Sequence, residues 1–412
     1  MPEIEFLQSR CKSLLKIIGE IPTIDLSINA GKAWENSYSI KARDDSIDFD
    51  IVQKLNENNI FFEPDKISLI CESLIKLSLK LKKYKLNFSA YVNHQSEFIK
   101  VIAREKIVED YRKWSNGRIV IITENRRIYY KEILITPNIK DTVKRFDAAL
   151  NLILKEIKEL NIDSTKLPPS LTTVIFAPGV AGYFVHEVFG HMLEGDFVTK
   201  GLSIFGKSIK LNDLIGPEFL NVIDDPTGCS EYIGLSKIDD EGELLKRIEL
   251  ISEGRLKGFL CNRESAEILG NKDFTGCARR QSYKYKAIPR MRATYIPDNK
   301  NGLELSNLVE NTERGVLVSQ LARGQANPLT GDFTLVCGRS HLIENGKIGA
   351  PLHDAIISGS VITTLQNIES IGNDFEMLPL QCGKAGQIIP VCAGSPSIKV
   401  NKMMIRGMND GN

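Results

Sequence analysis

The sequence predicts an α+β protein: an N-terminal antiparallel sheet with covering helices, then a C-terminal β-rich domain carrying one histidine-bearing helix. Three observations predict it. Helical stripes and period-two segments share the first 160 residues. A break at 161–170, with Pro168 and Pro169, ends that pattern. Beyond about residue 200 the texture is β-rich and loop-rich. The length of 412 residues also asks for two domains, because single cores seldom grow past ~250–300 residues. The expected domains are 1–165 and 166–412.

Residues 3–20 place Ile4, Leu7, Cys11, Leu14, Leu15 and Ile18 on one helical stripe. A second helix is expected from Pro64, a favoured first-turn residue, with Ile67, Ile70, Leu74 and Leu81 on one side. The period then changes to two, and 86–92, 98–102, 118–122 and 128–136 read as strands. Asn116 with Gly117 signals a hairpin turn, and Asn125 with Arg126 a second turn. The stretch 140–160 is a strong amphipathic helix through Val143, Phe146, Leu150, Ile153 and Ile157. His94, the only histidine of this half, is expected in a turn or strand, and no chemistry is visible here.

After the break, 172–177 reads as a buried strand, followed by a glycine loop and a helix from Val180 to about Phe189. Gly179 and Gly182 resemble a phosphate cradle, but the lysine of such a loop is missing. A close backbone approach is the preferred reading. Downstream, 248–251 and 256–260 flank a hairpin turn, and 265–269 is expected to be helical. The stretches 314–320, 333–337 and 341–344 read as strands, with a turn at Asn345 and Gly346 and a closing strand over 397–405.

Composition excludes several classes. A net charge of +1 gives no reason to expect a nucleic-acid partner. No apolar run approaches the ~18–20 residues of a membrane span, so no membrane is expected. The N-terminus lacks the basic start and apolar core of a signal peptide, so the cytoplasm is the expected compartment. The eight cysteines contain no C-x-x-C pair, which fits neither a zinc ribbon nor a dense disulfide framework.

Chemistry concentrates in His186-Glu187-Val188-Phe189-Gly190-His191, which holds two of the five histidines. Two imidazoles with a glutamate beside the first is the pattern of zinc hydrolases, where histidines hold the metal and the glutamate takes a proton from water. The usual spacing is i and i+4, whereas here it is i and i+5. At about 100° per residue, i+4 returns to within roughly 40° of the starting face, and i+5 overshoots by roughly 140°. Both rings reach one metal only if the helix widens by a π-type turn or ends between them. Gly190, a poor helix-interior residue, marks the expected distortion.

A catalytic zinc takes three protein ligands and keeps one position open. Candidates for the third are Glu194, His341, His353, Cys382, Cys392 and several aspartates. Glu194 reads as a ligand or as a partner of one. Cys382 precedes the turn Gly383-Lys384-Ala385-Gly386-Gln387, where a nearby cation favours a thiolate. Cys392 reads as the end of a packed strand.

The stretch 186–196 resembles the signature of the TldD/PmbA family of metallopeptidases. Further segments match in the family's order: Ile288-Pro289-Arg290-Met291-Arg292 with Thr294 and Tyr295, Thr330-Gly331-Asp332-Phe333, and Leu342-Ile343-Glu344-Asn345-Gly346. Ile371-Gly372-Asn373-Asp374 follows, then Cys382-Gly383-Lys384 with Gly386, Gln387, Pro390 and Val391. The match runs from about residue 170 to the end. It departs at the family's glycine-rich stretch, here Ala322-Arg323-Gly324-Gln325-Ala326-Asn327.

The resemblance implies that Cys382 completes a His-His-Cys site for Zn2+ with His186 and His191. It implies a zinc peptidase acting on small or unfolded peptides, with Glu187 as general base. A homodimer, or a heterodimer with a related chain, is the expected assembly. The competing expectation is a non-catalytic regulatory or binding subunit with a structural metal, which a closed site including Glu194 would favour. A zinc hydrolase of non-peptide amides is the third.

Overall fold

The computed structural model describes residues 26–27, 35–43, 46–53, 73–74, 81, 86–103, 106–124, 126, 128–135, 138–159, 168–229, 237–270, 275–282, 284–352 and 355–407. The chain divides into two compact units. One takes residues 1–99, 109–157 and 231–235, and the other takes 100–108, 158–230 and 236–412.

A six-stranded sheet, belonging to the first unit except for residues 100–103 and 106–108, consists of β1 (Leu26–Ser27), β2 (Glu35–Arg43), β3 (Ser46–Gln53), β4 (Asn87–Ala103), β5 (Lys106–Ile122) and β6 (Ile128–Leu134). Their order is β1-β3-β2-β4-β5-β6; the short β1–β3 contact is parallel, and β2–β3, β2–β4 and β5–β6 are antiparallel. His94 stands in β4, opposite Asn36. The helix α1 (Ile139–Glu159) follows, its first turn closed by Asn138, whose Oδ1 accepts from Lys140 N at 3.1 Å. Its stripe of Phe146, Leu150 and Ile153 is buried, as the apolar period requires. The helix expected over 3–20 lies outside the described residues, as does all but Ser73, Leu74 and Leu81 of the one expected from Pro64.

One expectation fails here. Asn116 and Gly117 make no turn, because β5 runs straight through them and pairs Gly117 with Ile133. A Cβ at position 117 would lie 2.9 Å from both Ile135 Cδ1 and Phe146 Cζ. The glycine lets α1 pack close over the strand, a tertiary demand that imitates a turn signal.

The second unit begins with β7 (Ser170–Phe176), α2 (Val180–Phe184), a π turn (Val185–Phe189), a 3-10 turn (Gly190–Leu193) and α3 (Gly195–Thr199). Next come β8 (Val222–Asp224), β9 (Ile248–Ser252), β10 (Arg255–Leu256), α4 (Arg263–Ile268), β11 (Ala278–Arg279), β12 (Ile288–Pro289), β13 (Ala293–Tyr295) and α5 (Leu305–Glu310). The remainder is β14 (Arg314–Ala326), β15 (Asp332–Glu344), β16 (Lys347–Leu352), β17 (Ala355–Ser360), α6 (Val361–Gln366), β18 (Ile368–Ile371), β19 (Glu376–Lys384), β20 (Gln387–Ser395) and β21 (Ile398–Gly407). The stretches 333–337 and 341–344 join into the single strand β15, and Asn345 and Gly346 turn it back with φ of 51° and 71°.

Five of these strands close on themselves. β7 pairs with β14 and β21, β21 with β17, β17 with β15, and β15 returns to β14. Closure leaves no open edge within the ring. Val174, Phe176, Val316, Val318, Phe333, Leu335 and Ile357 from these strands belong to one buried core with the histidine helix. Phe184 of α2 stacks on Phe176 at 5.7 Å and meets Phe333 edge-on at 5.5 Å, which anchors the helix to the ring.

A second sheet has the order β10-β9-β8-β13-β20-β19, with β19 outermost. Arg292, fully buried, holds its centre. Its Nε donates to Asp224 Oδ1 at 2.6 Å, and the guanidinium also reaches the carbonyls of Thr275, Gly276 and Lys246. A charge at such depth persists because every face of it is paired.

Candidate metal centre

The helix leaves β7 through Gly179, whose φ of 76° is left-handed and suits glycine. Gly182 sits one turn on, and a Cβ there would lie 2.5 Å from Gly394 N and 2.7 Å from Gly394 Cα. The two glycines thus allow β20 to cross the helix at backbone distance, and Ser395 Oγ accepts from Gly182 N at 3.0 Å. β20 in turn carries β19, which brings Cys382 to the histidines.

The i+5 spacing is accommodated locally. Gly190 N–H bonds to Val185 O, five residues back, so the turn between the histidines is a π turn. His186 lies in this turn and His191 in the tighter turn after it. Their rings end up with centroids 5.0 Å apart, crossed at 78°. A regular α-helix would have pointed them apart.

The ligand atoms of His186, His191 and Cys382 all lie within 4.8 Å of one another. Cys382 Sγ is 3.4 Å from His191 Nε2. Tetrahedral zinc, with bonds of about 2.0–2.1 Å to nitrogen and 2.3 Å to sulfur, sets ligand atoms roughly 3.3–3.6 Å apart, so the set suits such an ion. His186 supplies the sharper test. It is 1% exposed, yet neither ring nitrogen has a hydrogen-bond partner. Two orphaned nitrogens at that depth are costly unless a cation claims one of them.

Burial pushes the thiols of Cys261, Cys277 and Cys337 up, to about 11, 12 and 12. Burial pushes Cys382 up as well, but the adjacent His186 and His191 rings outweigh it and hold the thiol down at about 4. The site selects this cysteine as a thiolate. Burial pulls His191 down, but Glu194 and Cys382 on its two sides bring it well above the ordinary histidine value.

The other candidate ligands go elsewhere. Glu194, fully buried, faces the far side of the ring, with Oε2 3.0 Å from His191 Nδ1. That bond leaves Nε2 facing Cys382. His341 is buried in β15 opposite Leu317, and Cys392 lies in β20 beside Ala293. Neither joins the cluster, and His353 lies outside the described residues. Glu187 is half-buried next to His186, and among the described residues its carboxylate enters no hydrogen bond or ion pair. Its stem packs over Gly324, where a Cβ would come within 3.1 Å of Glu187 Cβ.

The profile of the PmbA/TldA metallopeptidase C-terminal domain matches residues 169–407. The chain belongs to the PmbA/TldA metallopeptidase family. A metalloprotease TldD homolog of Buchnera aphidicola is 34% identical over 250 residues, covering 60% of this chain and 50% of its own length. A zinc metalloprotease TldD homolog of Saccharolobus solfataricus is 37% identical over 235 residues, covering 57% and 51%. The chain thus spans about half the length of these curated relatives. TldE from Thermococcus kodakarensis shares the fold with a TM-score of 0.65 at 16% identity, over 91% of this chain and 95% of that one.

Within this PmbA/TldA domain, the motif Arg290-Met291-Arg292 has roles that its sequence does not announce. Arg290, fully buried, donates from Nη2 to Cys382 O at 2.5 Å and so holds the strand that presents the thiolate. Met291 turns the other way and packs its sulfur on Gly190. The sequence signals were the match of this segment to the family's order and two arginines beside apolar residues, neither of which names a partner. Among the described residues, no helix is long and apolar enough to cross a membrane.

Proposed function

We propose that this chain is a zinc-dependent peptidase of small or unfolded peptides, with residues 166–412 as its metallopeptidase domain. His186, His191 and Cys382 hold the ion, and Glu187 is the general base. The observation that carries the reading is the convergence of three ligand atoms around the orphaned nitrogens of His186. The name of the Saccharolobus relative supports zinc as the metal.

When bound, zinc supplies Lewis acidity toward the scissile carbonyl and the attacking water. The protein's own groups do the rest. Glu187, with no competing partner, takes the proton from water at its carboxylate and returns it to the leaving amine. One thiolate among the ligands leaves the centre near +1, which tempers its Lewis acidity. Among the described residues β19 is the outer strand of its sheet, so apart from Cys382 O, which Arg290 takes, it offers a backbone edge. An extended peptide adding to that edge would lie beside the centre without regard to its sequence.

The competing reading, a non-catalytic subunit with a structural metal, needs a closed fourth position. Glu194 is the nearest candidate and is committed to the opposite nitrogen of His191, which favours the open, catalytic arrangement. The assembly proposed with this function is with a related chain or with a second copy of this one. Cys261, Cys277, Cys337 and Cys382 are free thiols, which suits the reducing conditions of a cytoplasm.

Metal analysis of the purified protein beside His191→Ala and Cys382→Ala tests the reading, with cleavage of an unfolded protein as second readout. One zinc per chain, lost in both variants together with cleavage, is the expected result. Stoichiometric zinc in Cys382→Ala would overturn it.

A further inference from the structure

We infer that Glu194 and Lys384 form a positioning tie that fastens the two separately contributed parts of the metal site to each other, and so sets its affinity for zinc. The inference rests on the zinc reading above and goes beyond its ligand set. His191 and Cys382 are 191 residues apart in the chain, so neither fixes the other through local structure. Lys384 stands two residues after Cys382 on β19, and Glu194 three residues after His191.

Glu194 has no exposed surface, and its Oε2 receives His191 Nδ1 at 3.0 Å and Lys384 Nζ at 2.9 Å. The same ammonium donates to Asp196 Oδ1 at 2.6 Å and to Pro289 O at 3.1 Å, and sits 4.7 Å from the centre of the Phe197 ring. The end of β19 therefore grips one imidazole from both sides. Its thiolate faces Nε2, and its ammonium holds the carboxylate that orients Nδ1.

Neither half is dispensable to that geometry. Without Lys384, the Glu194 charge keeps only the imidazole as partner, and the end of β19 loses its bond to the histidine segment. Without the Glu194 charge, the ammonium is left to Asp196 and the ring is held by a weaker acceptor. Partners of this kind shift metal affinity by roughly 10- to 100-fold in zinc proteins. Asp196 lies outside the path, since it meets Lys384 but not His191.

The test is zinc affinity of the full chain, measured by competition with a chromophoric chelator, for wild type, Lys384→Met, Glu194→Gln, Lys384→Arg and Asp196→Asn. Cobalt substitution adds a spectroscopic readout, because the thiolate-to-cobalt absorption reports whether Cys382 is in place. Lys384→Met and Glu194→Gln should each weaken zinc by roughly 10- to 100-fold and diminish the thiolate band. Lys384→Arg should recover most of the affinity, and Asp196→Asn should stay within about threefold of wild type. If Lys384→Met does not fold, as judged by circular dichroism, Glu194→Gln carries the test. Folded variants that bind zinc like the wild type, with lower thermal stability alone, would reduce the pair to a fold-stabilising ion pair and overturn the tie. A wild type that takes up neither zinc nor cobalt would instead overturn the site itself.

Discussion

The sulfur of Met291 occupies the place a side chain at Gly190 would need: a Cβ built on Gly190 overlaps Met291 Sδ. Gly190 has an ordinary right-handed φ of −60°, so the glycine is required by its neighbour and not by its own backbone. Gly190→Ala should therefore force the π turn away from β13, cost about 1–3 kcal/mol of stability and weaken zinc binding. In a Met291→Ala background the same change should cost markedly less. Urea unfolding of the four proteins gives the coupling directly.

Glu187 separates chemistry from metal binding. Glu187→Gln keeps the shape and touches no ligand atom, so zinc content should be unchanged while cleavage of an unfolded protein falls by roughly 10²- to 10⁴-fold. Parallel metal analysis and a peptidase assay decide it. Full activity in that variant would remove Glu187 from the mechanism.

Acid should act through Glu194. Burial raises its pKa, but the charges of His191 and Lys384 outweigh burial and hold the carboxyl down at about 2, against 4.5 for an ordinary glutamate. A folded-state value below the unfolded one contributes stability that is complete above about 4.5 and fades as pH falls toward 2. The contribution is on the order of 3 kcal/mol. Urea midpoints of metal-free wild type should drop across that window more steeply than those of Glu194→Gln.

Removing the metal should expose one thiol chemically. With Cys382 held at about 4 and Cys261, Cys277 and Cys337 pushed to about 11–12, Cys382 alone of these four is a thiolate at neutral pH once zinc is stripped. Iodoacetamide should label Cys382 ahead of Cys261, Cys277 and Cys337 in chelator-treated protein and leave it untouched in the zinc-loaded protein. Peptide mass spectrometry reads the difference. Chelation should also lower the melting temperature, because an ion bound at 100 times its Kd stabilises by about 2.7 kcal/mol.

Part of the site is legible in the sequence. The five-residue step from His186 to His191 meant that both rings could share a metal only if the helix widened or ended between them, because helical geometry forbids both rings on one face otherwise. The buried apolar run Val174-Ile175-Phe176 did not reveal ring closure, since such a run reports burial of a strand and not its neighbours. Asn116 with Gly117 misled for a related reason. The dipeptide is a hairpin signal only when nothing packs over it, and Phe146 does. The role of Arg290 was hidden for the same cause, because its partner Cys382 O lies 92 residues away in sequence.

The order of the ligands along the chain bears on biosynthesis. At about 5–20 residues per second, the interval between translation of His191 and of Cys382 is roughly 10–40 s. Throughout that interval the nascent polypeptide displays two imidazoles and no thiolate, an incomplete cage that grips metal weakly. On the proposed function, hydrolytic competence would therefore switch on only once the hairpin of β19 and β20 is made, sparing the unfinished chain on the ribosome.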